Sequence, residues 1–359
     1  MPASTKSSPR DIDLWAVILA GGVGSRFWPV STPARPKQLL PLAGDEPLIA
    51  QTVARIEPLV SADRIRILAG ESLGRLMLEA VPGLASDSLL VEPQARGTAP
   101  VLAWAAHTIA RTNPDAVMAS LHADHRIEPA EAFRATLARA AQLAHIEQRL
   151  FTIGAIPTRP ETGYGYIRSG TAIDDDAWVV EEFVEKPDRA TAERYIQEGY
   201  LWNTGLFVWP VSLLLSQLAE HTPELAKLLP LLDAGHVDDF FERAPSLSID
   251  NGLLERSDRV GVVRASFDWD DVGAWDSLAR TRTADDRGNV GVGATHFVDA
   301  DDCIAWSDTG DVVVFGTRDL VVVQANGVTF VAPRERAPDL KRALAQLPER
   351  LVRLDGTST

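Results

Sequence analysis

The sequence predicts an α/β protein: a mostly parallel sheet with helices on both faces, followed by a small all-β module. Three observations carry that expectation. Continuous apolar runs recur at 15–20, 64–69, 88–92 and 116–121, the signature of strands buried on both faces. Amphipathic helical patterns fill the gaps at 47–59, 98–112 and 130–148. Between 285 and 333 the pattern changes to short strands such as "VVVFG" and "LVVVQANGVTFVAP", spaced by Gly, Asp and Asn turns.

Taken in order, residues 1–12 are polar and expected to be disordered. "LWAVILA" (14–20) has the apolarity of a signal-peptide core, but Asp11 and Asp13 adjoin it and no small-residue cleavage site follows, so it reads as the first buried strand. In a parallel sheet ligands bind beyond the carboxyl ends of the strands, so the loops after Ala20, Glu92 and Leu121 are expected to face one crevice. Beyond "FTIGAI" (151–156) the pattern is irregular up to about residue 284, and a terminal helix is expected in "PDLKRALAQLPERLVRL". The expected units are therefore 13–284 and 285–359.

Composition narrows the function. With 359 residues, 45% of them hydrophobic, the chain can bury a large core. A net charge of -15 argues against a nucleic-acid-binding surface. No run approaches the roughly 18 apolar residues of a membrane span. The single cysteine, Cys303, fits a reducing compartment, and a cytoplasmic protein is expected.

In this acidic chain the loop "LAGGVGSRFWPVSTPARPKQLLPL" (19–42) gathers Gly21, Gly22 and Gly24 with Arg26 and Lys37. Glycines let backbone N–H groups approach an anion closely, and a triphosphate is the natural guest. A dinucleotide fingerprint would need glycine where Phe27 stands, and the Gly-Lys-Ser/Thr of a P-loop is nowhere in the chain. A plain glycine turn with surface cations is the bland alternative.

The loop closely resembles the signature of the sugar-phosphate nucleotidyltransferases. "EPQARGTAP" (92–100), "HADH" (122–125), "ETGYGYI" (161–167), "FVEKPD" (183–188), "WNTGLFVW" (202–209) and "FDWDDVGAWDSL" (267–278) narrow the resemblance to the mannose-1-phosphate guanylyltransferases. The motifs run in order over nearly the whole chain. The resemblance implies a Rossmann-like nucleotidyltransferase domain with a mixed, mostly parallel sheet, plus a small C-terminal β-helix-like module that pairs subunits into a homodimer. It implies transfer of GMP from GTP to α-D-mannose 1-phosphate with Mg²⁺, releasing pyrophosphate. The chain ends soon after the module, without the cupin isomerase domain of longer bifunctional relatives, so no isomerase activity is expected.

That chemistry explains the residue types. A phosphate monoester is mostly ionised at neutral pH, its second pKa being about 6, so no general base or covalent intermediate is required. Catalysis rests on positioning and charge neutralisation. By resemblance Leu19, Ala20, Gly21, Gly22, Gly24, Ser25, Arg26 and Lys37 hold the triphosphate. Gly97 and Thr98 set backbone against the base, and Arg96 either reaches the triphosphate or braces its loop. Nothing in the residues themselves excludes adenine or thymine. Asp124 and Asp271 are expected to share the metal, with Asp270 the alternative to Asp271. A transition-metal site at His122 and His125 is the weaker reading, because no distant His or Cys cluster completes it. For the sugar phosphate, Glu185, Asn203 and Thr204 offer hydroxyl partners, Lys186 a cation, and Tyr164 and Gly165 a strand on which the ring lies. Trp202, Trp209, Trp269 and Trp275 read as walls. The rival functions are the same chemistry on a heptose or glucose 1-phosphate, or a non-catalytic sugar-nucleotide sensor.

Overall fold

The computed structural model describes residues 12–22, 24–352 and 354, so the expectation of a disordered 1–12 tail lies almost wholly outside the described residues. The apolar runs form β1 (Leu14–Leu19), β2 (Ile65–Ala69), β3 (Leu89–Val91) and β4 (Val117–His122). A short β5 (Arg126–Glu128) precedes β6 (Leu150–Ala155), β7 (Gly165–Asp174), β8 (Ala177–Glu185), β9 (Leu201–Pro210) and β10 (Val260–Arg264). Nine of these make one sheet in the order β3-β2-β1-β4-β9-β6-β10-β8-β7. β1 to β4 are mutually parallel, β9 enters antiparallel between β4 and β6, and β10 runs parallel to β6. β8 is reversed against β10 and β7, so seven of the nine strands point the same way.

Helices cover both faces. α1 (Leu48–Ile56), α2 (Glu71–Ala80) and the helix Ala130–Glu147 bury Ile49, Val53, Met77, Phe133 and Leu137 against one face. The helices Thr98–Ala110 and Val211–His221 bury Val101, Leu102, Leu214 and Leu218 against the other. Of these, the helix Val211–His221 falls in the stretch read only as irregular, and α2 is likewise not legible in the sequence pattern. Gly74 interrupts it, and a Cβ there would stand 2.4 Å from a Leu89 methyl. The glycine that lets α2 close on β3 also lowers its helix propensity.

β11 (Asp268–Asp270) pairs antiparallel with β5, setting Asp270 opposite Arg126. That ladder ties the chain just after β4 to the chain 140-odd residues later, and it organises the site.

The terminal module is a coil of short parallel strands: β12 (Val290–Val292), β13 (Thr295–Val298), β14 (Ile304–Ser307), β15 (Val312–Phe315), β16 (Leu320–Ala325) and β17 (Val328–Pro333). β12, β14 and β16 stack parallel on one side, β13 and β15 on another, and β17 closes the stack antiparallel to β16. The terminal helix departs from expectation. It is broken into a 3-10 segment Arg334–Asp339 and two short helices, Leu340–Leu344 and Glu349–Val352, the second starting just after Pro348.

The module does not stand apart. Phe27, Trp28, Val30, Leu40 and Trp275 share one core with Trp306, Val321, Leu340 and Leu344. Trp28 Nε1 donates to Leu351 O at 2.8 Å, and the Trp275 and Trp306 rings meet edge to face at 5.6 Å. No helix among the described residues is long and apolar enough to cross a membrane.

Candidate active site

The loops after β1 and β4 open onto one crevice made of three adjoining cavities. The first, about 380 Å³, is lined by Gly22, Gly24, Ser25, Arg26, Lys37, Asp124 and Asp271. The second, about 340 Å³, includes Arg26, Tyr164, Lys186 and Asp271. The third, about 240 Å³, includes Thr98, Tyr164, Gly165, Glu185, Asn203, Thr204, Asp250 and Asp271. Asp271 borders all three.

Local bonding fixes the glycine loop. Ala20 is fully buried and its N–H donates to Leu68 O, while Leu19 O accepts from Ala123 N, so these two anchor the loop in the sheet and do not line the crevice. Gln38 Nε2 donates to Gly21 O and Gly22 O, each at 3.0 Å, which leaves the loop's N–H groups free of that brace. Gly24 is in the left-handed region at φ 77, and a Cβ would fall 2.3 Å from Lys37 Cβ, so only glycine lets the loop close over the lysine stem. Arg26 is exposed, its Nη1 3.5 Å from Gly273 O.

Lys37 is buried, and its charge is committed inside the protein. Nζ donates to Asp124 Oδ2 at 2.7 Å and to Asp271 O at 2.8 Å. The lysine therefore ties together the two aspartates that the sequence places 147 positions apart. The β5–β11 ladder does the coarse alignment, because Asp124 comes just before β5 and Asp271 just after β11. Burial opposes ionisation of Asp124, but Lys37 and the two histidines outweigh it and bring its pKa to about 2.

Asp270 and Asp271 differ in their neighbours. Asp270 is buried and faces away from the cavities: Oδ2 takes Arg280 Nε at 2.7 Å, and Oδ1 takes Val272 N at 2.8 Å. That turn forces Val272, a β-branched residue, to φ 47, a strained conformation that the flanking bonds hold. Asp271 faces the crevice, with Tyr164 Oη donating to its Oδ1 at 2.5 Å. Burial raises the Asp271 pKa, Lys37 and the tyrosine oppose that, and Asp270 and Asp124 add to it. Arg159 Nη2 donates to Tyr164 Oη at 3.0 Å while its guanidinium stacks over Tyr164 and Trp202. Tyr164 is thus a positioning residue for Asp271.

A divalent cation fits this donor set. Asp124 and Asp271 offer hard carboxylate oxygens on the crevice, and a Cβ at position 273 would stand 2.8 Å from Asp271 Oδ2, so Gly273 leaves that carboxylate its room. His122, Asp124 and His125 also place ligand-type atoms within 4.8 Å of one another. Trp269 Nε1, however, donates to His125 Nδ1 at 3.1 Å, so the neutral ring carries its proton on Nε2 and offers no lone pair there. Burial lowers both histidine pKa values, and for His125 the neighbouring His122 adds to the effect.

On the sugar side several expectations change. Asn203 Oδ1 accepts from Thr152 Oγ1 at 2.8 Å, and its Nδ2 donates to Asp250 Oδ1 at 3.0 Å, so most of its amide is spent within the protein. The Thr204 hydroxyl donates to Ile153 O at 2.7 Å and is likewise occupied. Arg96 braces its loop: Nε donates to Phe241 O at 2.9 Å and Nη2 to Glu242 O at 3.0 Å. Gly97, at φ 83, leaves room for Leu247 O, and Thr98 Oγ1 accepts from Ile249 N at 2.8 Å. Glu185 and Lys186 form an ion pair between adjacent residues, yet Glu185 Oε2 is buried, finds no hydrogen-bond partner among the described residues and borders the third cavity. A Cβ at Gly165 would sit 2.6 Å from that oxygen. Trp202, Trp209 and Trp275 are core walls, and Trp269 edges the third cavity.

Sequence reasoning missed Asp250. It lies in a π-helical turn, Asp250–Leu254, across the third cavity from Glu185. Burial, and then the Glu185 charge, raise its pKa to about 6. No periodicity or motif quoted above marks it; only the fold brings it to β9.

A parallel-strand crevice with a glycine loop, basic side chains and paired carboxylates is the kind of site that a nucleotide-transferring protein presents. The chain belongs to the nucleotidyl transferase family, whose model matches residues 15–288, and residues 295–347 match the MannoseP isomerase/GMP-like beta-helix domain. It is similar to the mannose-1-phosphate guanylyltransferase of Klebsiella pneumoniae, 36% identical over 356 residues that cover 94% of this chain and 74% of that protein. The alginate biosynthesis protein AlgA of Pseudomonas aeruginosa is 36% identical over 92% of this chain and 71% of its own length. Among solved structures, mannose-1-phosphate geranyltransferase from Thermus thermophilus superposes with a TM-score of 0.87 at 32% identity, covering 93% of this chain and 99% of that one.

Proposed function

We propose that the chain transfers GMP from GTP to α-D-mannose 1-phosphate, giving GDP-mannose and pyrophosphate. In this reading residues 13–284 form the catalytic unit and 285–359 the β-helix-like module. The single observation that carries it is the placement of Asp271 at the junction of the three cavities, linked to Asp124 through Lys37.

The triphosphate lies over the Gly21–Arg26 loop, where backbone N–H groups and the Arg26 fork meet phosphate oxygens. Lys37 works one step removed, keeping Asp124 ionised and fixing the Asp271 backbone. Mg²⁺ held by Asp124 and Asp271 would neutralise charge on the α-phosphate and orient it. The sugar ring occupies the third cavity, where the orphaned Glu185 Oε2 and the Asp250 carboxylate accept from its hydroxyls. Lys186, bordering the second cavity, meets the 1-phosphate. The nucleophile arrives ionised, so the neutral His122 and His125 need take no proton. Val313, Phe315 and Val331 are apolar and exposed on the module, which supports pairing of two copies as a homodimer.

The test is an initial-rate panel that crosses GTP, ATP, UTP and dTTP with mannose, glucose and heptose 1-phosphates in Mg²⁺, reading pyrophosphate release. GTP with mannose 1-phosphate is expected to give the highest kcat/KM. A higher value for another pair overturns the assigned specificity, and GDP-mannose binding without turnover of any pair overturns the enzymatic reading.

A further inference from the structure

We propose that Lys341, on the C-terminal module, is a phosphate-binding residue of the nucleotide crevice and holds the leaving pyrophosphate; this rests on the reading above. Lys341 lines the first cavity beside Gly22, Gly24, Arg26 and Lys37, although more than 300 residues separate it from that loop. Its position is not that of a free surface lysine. The helix Leu340–Leu344 presents Leu340 and Leu344, one turn apart, to the core built around Phe27, Trp28 and Val30. Those two leucines anchor the helix, and Lys341 beside them lines the same cavity as Ser25, Arg26 and Phe27. Pro338, just upstream, borders the adjoining second cavity, so the module edges the crevice at two points.

Charge balance gives the lysine its purpose. Among the described residues three cations line the first cavity: Arg26, Lys37 and Lys341. Lys37 is committed to Asp124, which leaves Arg26 and Lys341 to face a triphosphate in a chain of net charge -15. Geometry then selects the end of the triphosphate. Lys341 borders the cavity of the glycine loop and neither of the two that contain Lys186 or Glu185, which groups it with the triphosphate residues and not with those assigned to the sugar phosphate. In-line attack by the sugar phosphate oxygen on the α-phosphorus breaks the bond to the bridging oxygen. Pyrophosphate leaves with that electron pair on the opposite side, among the triphosphate residues with which Lys341 is grouped.

The experiment is calorimetric binding of GTP, inorganic pyrophosphate and GDP-mannose to the full chain in Mg²⁺, with steady-state kinetics, for wild type, Lys341→Ala and Lys341→Arg. Lys341→Ala is expected to weaken GTP and pyrophosphate about tenfold, to leave GDP-mannose within about twofold, and to lower kcat; Lys341→Arg recovers most of the loss. The residue is exposed, so the variant should keep wild-type unfolding behaviour. Equal weakening of all three ligands, or no change in any, overturns the assignment while leaving turnover by the wild type intact. A wild-type chain that binds neither GTP nor GDP-mannose overturns the parent reading and this inference with it.

Discussion

Asp250→Asn should make the protein more stable, and only at a pH where the wild-type carboxyl is ionised. The folded chain raises this carboxyl from 3.8 to about 6, first by burial and then through Glu185. At about 1.4 kcal/mol for each pKa step, ionising it in the folded state costs at most ~3 kcal/mol. Water reaching the carboxylate from the crevice screens this to roughly 1–2 kcal/mol. The sign follows from proton binding. Between pH 3.8 and about 6 the folded state holds a proton that the unfolded chain has released, so wild-type stability falls as pH rises through that window and levels off above it. Asparagine keeps Oδ1 for the Asn203 amide and removes the repulsion from Glu185. Urea unfolding of both proteins at a series of pH values from about 4.5 to 8 reads the difference directly. The variant's advantage should grow through the window and stay constant beyond it. A variant no more stable than wild type at pH 8, or an advantage independent of pH, would refute the argument. The same variant should raise KM for the sugar phosphate, because it loses one acceptor in the third cavity.

Two further substitutions test the assigned roles. Asp271→Asn should lower kcat on the order of a hundredfold while thermal unfolding stays within a few degrees, since the residue contributes charge to the crevice and not packing; circular-dichroism melts and initial rates check both halves, with Asp270→Asn instead losing stability through Arg280. Lys186→Ala should raise KM for the sugar phosphate more than for GTP, and the reverse pattern in steady-state kinetics would mean that the two ligands occupy each other's cavities.

The first half of the sheet was legible because parallel strands buried on both faces leave continuous apolar runs, as in β1 and β4. The later strands were not, because β7 and β8 are partly exposed and mix charge with aromatic residues. The crevice loops, Lys37, Asp124 and Asp271 could be read from residue type and motif. What the chain does with their neighbours could not. Asn203 and Thr204 look like hydroxyl partners in sequence, but their polar atoms are consumed by Thr152, Asp250 and Ile153, which no spacing announces. Arg96 faced two fates, and carbonyls near residue 241 decided for bracing. Asp250 and Lys341 acquire meaning only through tertiary approach, one across β9 and the other through a core shared with the module. The Pro348 break was visible as a residue yet hidden by an apolar pattern that ran through it.

In the proposed reaction Asp124 and Asp271 would hold one divalent ion between them. Crystals grown with Mn²⁺ and a non-hydrolysable GTP analogue, measured at the manganese absorption edge, test it most directly. The predicted result is one anomalous peak within coordination distance of an oxygen of each carboxylate. A peak seated on the His122 and His125 rings, or touching Asp124 alone, would contradict it.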